Sequence, residues 1–218
     1  PPANAGHFLR ITGQQDGRNF CFHSKLTPVG ATHGTEPYQS LLPLEQAVQV
    51  WLDQPIGELA YPISPEGKLD AALYGSQVAA LFNQVQLAET GADFSCTSLG
   101  NDPVGLASPV TMRGVTAAYL FANTLVVLEV TEEVLRQTLE RCAAYFTLVD
   151  GQPQISEEFL LPKVEHYNYD FYAGLAYTFD LRRPVGSRVV RLTKLDGSPL
   201  ENGKFRLCTS NYRAPGTG

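Results

Sequence analysis

Apolar and polar residues follow two different periods along the chain, and the changes between them mark out the elements. His7–Thr12 and the loosely alternating Asn19–Leu26 predict two strands joined by a turn over Gly13–Gly17, where glycine supplies positive φ. Residues 27–42 contain Pro28, Gly30, Gly34 and Pro37 and read as a linker. From there the period lengthens. Pro43 suits a first helical position, and Leu44, Ala47, Val48, Trp51 and Leu52 fall at i, i+3, i+4, i+7 and i+8, until Pro55 and Gly57 end the helix. A second helix is predicted over 69–88, with Tyr74, Val78, Leu81, Phe82 and Val85 as its apolar stripe and Gly91 as its stop. Ala92–Cys96 reads as a short strand, and 98–110, with Gly100, Pro103, Gly105 and Pro109, as a loop. Leu125–Val130 is a continuous apolar run of the kind buried on both faces. Thr131 caps a helix that places Glu132 and Glu133 in its first turn and Val134, Leu135, Thr138, Leu139 and Cys142 inward. Strands follow at about 175–181, 187–193 and 204–209, with Asp196-Gly197 marking a hairpin turn. Local hairpins mixed with helices imply an α+β fold, a mixed sheet with packed helices.

Composition narrows the function. The 218 residues carry 16 Lys and Arg against 22 Asp and Glu, a net charge of −6. That argues against a nucleic-acid backbone partner, which requires a basic face. No apolar run is long enough to span a membrane. The chain opens Pro1-Pro2-Ala3-Asn4, without initiator Met or signal peptide, and is read as a mature product or an excised piece. Cys21, Cys96, Cys142 and Cys208 are widely spaced, so they form no Cys-x-x-Cys metal or redox motif; two disulfides or isolated buried thiols both fit. Catalytic signatures are missing. Gly75-Ser76-Gln77 is not a nucleophile elbow, no glycine-rich phosphate loop precedes a lysine, and His7, His23, His33 and His166 are scattered. A two-metal hydrolase needs several His and Asp ligands around ions roughly 4 Å apart, a pattern absent here. No catalytic residue and no metal ligand is therefore assigned to this chain.

Two segments look chemically purposeful. Tyr119-Leu120-Phe121-Ala122-Asn123-Thr124 immediately precedes one strand, and Ser210-Asn211-Tyr212-Arg213-Ala214-Pro215-Gly216 immediately follows another. Each places an aromatic and an amide at a strand end. Two aromatic faces can clamp a planar ring at roughly 1–3 kcal/mol per stacked base, and an asparagine offers the paired donor and acceptor that read a base edge. The competing reading is a structural or protein-interaction module in which these aromatics are core.

At these residues the chain resembles the C-terminal domain of the 5′-nucleotidase family, closest to its bifunctional 2′,3′-cyclic-nucleotide 2′-phosphodiesterase/3′-nucleotidase branch. The likeness is carried by Asp53-Gln54-Pro55-Ile56-Gly57, Thr90-Gly91-Ala92-Asp93-Phe94, Phe121-Ala122-Asn123-Thr124-Leu125 onward to Val130-Thr131, Tyr169–Tyr177, and Asn211-Tyr212-Arg213-Ala214, in that order over residues 45–218. The resemblance implies a nucleoside-binding domain for residues 43–218. Phe121 and Tyr212 would sandwich the base, Asn123 would help hold it, and Gly174 would keep the pocket clear. Ser98, Gly100 and Asn101 lie where the family has a substrate loop, although its Gly-Gly-x-Arg is absent here. Arg113 and Arg213 are candidate anion partners. Residues 7–29 resemble the closing strands of the family's metallophosphatase domain, so 1–42 would be its tail and linker. That domain would lie upstream as the partner and carry two divalent metals, with no cofactor in this chain. The resemblance further implies a nucleotide or nucleoside ligand and a periplasmic, secreted or cell-surface parent.

Overall fold

The computed structural model describes residues 6–30, 35–201 and 203–216. By contacts the chain divides into two compact units, Pro1–Val50 and Trp51–Gly218.

In the first unit, β1 (His7–Asp16) pairs antiparallel with β2 (Asn19–Pro28), and Asp16 lies opposite Asn19. The turn is therefore the two residues Gly17-Arg18, shorter than the five-residue turn expected. Gly17, at φ 60°, lets the strands run on through Gln14–Asp16. Alternation puts Leu9, Ile11, Phe20, Phe22 and Leu26 on one face, and each is at least half exposed. The helix α1 (Thr35–Leu52) corrects the linker expectation: it begins eight residues before Pro43 and carries that proline in its interior. Pro37 is tolerated because it falls in the first turn, where backbone N–H groups have no intrahelical partner. Pro43 removes an interior hydrogen bond, which is why it looks like a helix start in the sequence. Residues 31–34 of the expected linker lie outside the described residues.

The second unit runs β3 (Pro55–Gly57), α2 (Lys68–Tyr74), α3 (Gln77–Thr90), β4 (Phe94–Ser98), β5 (Val110–Thr111), α4 (Met112–Ala118), β6 (Leu125–Val130), α5 (Glu132–Ala143), β7 (Phe146–Val149), β8 (Gln152–Ile155), β9 (Asp170–Ala173), β10 (Leu175–Phe179), β11 (Val189–Lys194) and β12 (Phe205–Ser210). Its centre is a mixed sheet in the order β6-β12-β4-β9, with β12 parallel to β4 and both other pairs antiparallel. The fold is α+β. Alternation along β4 sorts the two sides. Phe94 and Cys96 enter a core with Leu135 and Leu139 of α5 and with Leu175, Val189 and Leu192 of β10–β11. Ser95 points the other way, toward α3.

That α3 face is polar, which the apolar-stripe reading does not anticipate. The single helix expected over 69–88 is two. It breaks at Gly75-Ser76, where the Ser76 hydroxyl accepts the Ala79 amide at 3.4 Å and starts α3. Asn83 and Gln86 are buried, whereas Tyr74 and Val85 are 83% and 50% exposed. The amides are satisfied there. Asn83 Nδ2 donates to Phe171 O at 2.9 Å, and Ser95 Oγ lies 2.7 Å from both Asn83 Oδ1 and Gln86 Oε1. A buried polar group with its partners in place costs little to bury, so hydrophobicity alone does not locate this face.

Leu125–Val130 is a further correction. It is an edge strand, not one buried on both faces, and Leu125 and Val127 are 38% and 37% exposed. On α5, Thr131 caps the Val134 amide and Leu135, Leu139 and Cys142 are buried as the sequence predicts, while Val134 faces outward. The β7–β8 hairpin, closed by Asp150-Gly151 at φ 51° and 76°, is absent from the sequence expectation although Asp-Gly is a hairpin signal. Cys96, Cys142 and Cys208 are buried free thiols and Cys21 is an exposed one. Burial pushes the Cys96 thiol up to about 12. No helix among the described residues is long and apolar enough to cross a membrane.

Candidate functional site

The two aromatic segments meet at one end of the β6–β12 pair. Leu125 pairs with Ser210, and just beyond, Asn211 N donates to Thr124 O at 2.9 Å while Thr124 N donates to Asn211 Oδ1 at 3.0 Å. This two-bond clasp holds segment 121–124 beside the terminal turn 210–216. Phe121 is 68% exposed and Tyr212 43%, so neither is a core aromatic. Neither ring stacks on another ring among the described residues. Asn123 is half-buried in the same loop, and its backbone N–H donates to Phe121 O at 2.7 Å.

Two further loops join this rim. Arg213 Nε donates to Asp170 Oδ1 at 3.2 Å, its Nη2 lies 3.1 Å from the same oxygen, and Nη2 also donates to Tyr167 O at 2.7 Å. Burial drives the Asp170 carboxyl upward, and Arg213 opposes this. Asn101 Nδ2 donates to Val164 O at 2.8 Å, tying the 98–106 loop to the turn that leads to Tyr167. Phe121, Asn123, Tyr212 and Asn101 thus belong to hydrogen-bonded loops.

Gly174 leaves no room for a side chain. It sits between β9 and β10 at φ 89°, where a Cβ would run into the Asp93 carbonyl oxygen and lie 3.1 Å from Phe94 Cδ1. Arg113 is engaged by Asp53 at 2.6 Å, with both side chains exposed; its hydrogen bond holds the Asp53 carboxyl below the usual carboxylate range. Tyr167 and the role of Asp170 escape sequence reading, because a carbonyl acceptor and a pair 43 positions apart leave no local pattern.

Two cavities lie elsewhere. One, of about 370 Å³, is lined by Phe146, Tyr169, Phe171, Tyr177 and Phe179 beside α2. The other, about 20 Å³, is a crevice among Glu66, Lys68, Gly100, Tyr145 and His166. In it the Tyr145 hydroxyl and His166 Nδ1 are 2.7 Å apart. Burial, then the charge of Lys68, lowers the His166 pKa below its ordinary 6.5. The unfolded chain therefore takes up this proton at higher pH than the folded one does. The stability His166 contributes is present above 6.5 and is lost as pH falls through the folded value. Urea midpoints measured between pH 7.5 and 5.5 are expected to fall less steeply in His166→Gln than in the wild type. Among the described residues, no three His, Cys, Asp or Glu side chains converge as a metal site.

The α+β fold built on this mixed sheet is one the chain shares with solved 5′-nucleotidases. The chain belongs to the 5′-nucleotidase C-terminal domain family, which residues 59–218 match. A 2′,3′-cyclic-nucleotide 2′-phosphodiesterase/3′-nucleotidase of Haemophilus influenzae is 28% identical over 219 aligned positions, covering 82% of this chain and 33% of the relative. The protein of the same description from Salmonella typhimurium is 27% identical over 143 positions, covering 57% of this chain and 22% of its own length. The chain thus spans about a third or less of these curated relatives. Among solved structures, a putative 5′-nucleotidase from Staphylococcus aureus, in complex with alpha-ketoglutarate, superposes with a TM-score of 0.77 at 29% identity over 97% of this chain and 42% of that one. A 5′-nucleotidase precursor from Thermus thermophilus superposes at 0.61 with 23% identity and shares the fold.

Proposed function

We propose that this chain is the nucleoside-recognition part of a metal-dependent nucleotidase, holding a base between Phe121 and Tyr212 with Asn123 at its edge. The observation that carries the reading is the clasp between Thr124 and Asn211, which keeps two exposed aromatic side chains on adjacent chain crossings. Exposed aromatic faces are available for stacking, and a flat heterocycle covering both gains roughly 1–3 kcal/mol per stack. Ester hydrolysis falls to a metallophosphatase domain upstream with two divalent metals; no step of it is assigned to residues of this chain. The apolar face of the β1–β2 hairpin (Leu9, Ile11, Phe20, Phe22 and Leu26) is the natural seat for that domain. The parent is exported to the periplasm or cell surface.

Titration of the chain with adenosine or adenosine 3′-monophosphate tests the reading. Binding is expected near the millimolar range, because half the cleft is missing, with amide shifts centred on Phe121, Asn123 and Tyr212. No shift there at several millimolar ligand would reject it and favour an interaction module without a small ligand. Phosphatase activity on addition of Mn²⁺ is expected to be absent.

A further inference from the structure

Arg213 immediately follows the ring proposed to stack on the base, and it does not point into solvent. Its side chain is only 16% exposed and that of Asp170 only 13%. It meets Asp170 Oδ1 through two nitrogens and donates to Tyr167 O at 2.7 Å, while its backbone N–H donates to Ser210 O at 3.0 Å. Asp170 opens β9 opposite Ser98, the last residue of β4. The terminal turn is therefore fastened on two sides, by Asn211 to the Phe121 loop and by Arg213 to the central sheet. The guanidinium carbon lies 6.0 Å from the centre of the Tyr212 ring, beside the aromatic side chain it anchors.

We infer that Arg213, through Asp170 and Tyr167 O, is a positioning residue for Tyr212: it sets the ring for stacking and is not a ligand for the phosphate. The inference rests on the nucleoside reading above. Physically, a planar fork with several donors can satisfy the carboxylate and the carbonyl together, whereas a lysine ammonium with one nitrogen cannot hold that geometry. The pair is largely shielded from solvent, which makes it a firmer support than an exposed pair of the same length would be.

The test compares the full chain with Arg213→Lys and Asp170→Asn, using adenosine and adenosine 3′-monophosphate as probes. Both variants are expected to bind both ligands about tenfold more weakly, by the same factor, because a misplaced ring is lost equally to a nucleoside and a nucleotide. In the unliganded protein, the Arg213 and Ala214 amides, which donate to Ser210 O, are expected to exchange faster, while amides of β4 and α5 keep their protection. A loss confined to the phosphate-bearing probe would make Arg213 an anion ligand and overturn the inference. Unchanged affinity, or unchanged exchange in the turn, would also overturn it. If Asp170→Asn fails to fold, Arg213→Lys, which keeps the charge, carries the comparison. A wild type that binds neither probe rejects the nucleoside reading, and the positioning role with it. A wild type that binds while both variants bind equally well rejects the positioning role alone.

Discussion

Alanine in place of Gly174 is expected to destabilise the chain by about 2–6 kcal/mol. Two costs combine. At φ 89° an L side chain is strained, at about 1–3 kcal/mol. The new methyl would also meet the Asp93 carbonyl oxygen and lie 3.1 Å from Phe94 Cδ1 and 3.2 Å from Phe94 Cα, an overpacking worth about 1–3 kcal/mol. Neither neighbour yields easily. Asp93 N is bonded to Arg206 O at 2.9 Å and its carboxylate accepts the Arg206 amide at 2.7 Å, while Phe94 is buried beneath the sheet. Urea or thermal unfolding of Gly174→Ala measures the loss directly. Were Gly174 the floor of a ligand pocket instead, the variant would unfold like the wild type and lose only ligand. A change below about 1 kcal/mol would therefore return the residue to that role.

The second large effect separates core aromatics from ligand-facing ones. Tyr145 is 1% exposed and packs against Phe159, Tyr169 and Phe146 with ring centroids 5.0, 4.9 and 5.6 Å away. Its hydroxyl is paired with His166. Tyr145→Ala opens a cavity among rings and is expected to cost about 3–5 kcal/mol. Phe121→Ala removes a ring already 68% exposed and is expected to shift stability by no more than about 0.5 kcal/mol, while nucleoside binding is lost. Chemical denaturation and adenosine titration of both variants make the contrast. A stability loss of several kcal/mol in Phe121→Ala would turn that residue into core and remove one side of the base clamp.

Local signals in the sequence reach as far as elements whose cause is local. Thr131 is followed by two acids and an apolar stripe, so α5 is legible from cap to Cys142. The aromatic-amide segments are legible as segments, because each abuts a strand. Their meeting is not. It depends on β12 pairing antiparallel with β6, so that Ser210 lies opposite Leu125. The α3 face fails for a related reason. Asn83 and Gln86 look solvent-facing until Ser95 and Phe171 O are brought to them from β4 and β9.

By itself the sequence determined the α+β class, the capped and alternating elements, the net negative charge, and the family likeness. Each of these depends on residues a few positions apart or on their summed charge. Tertiary structure alone decided that Gly174 is spent on Asp93, that Leu125–Val130 lies at a sheet edge, and that Arg213 reaches Asp170 and Tyr167 O instead of an open cleft. Those contacts join residues more than forty positions apart, or turn on which strand lies beside which. Strand order and buried partners follow from how the whole chain packs, and no local pattern of residue types encodes them.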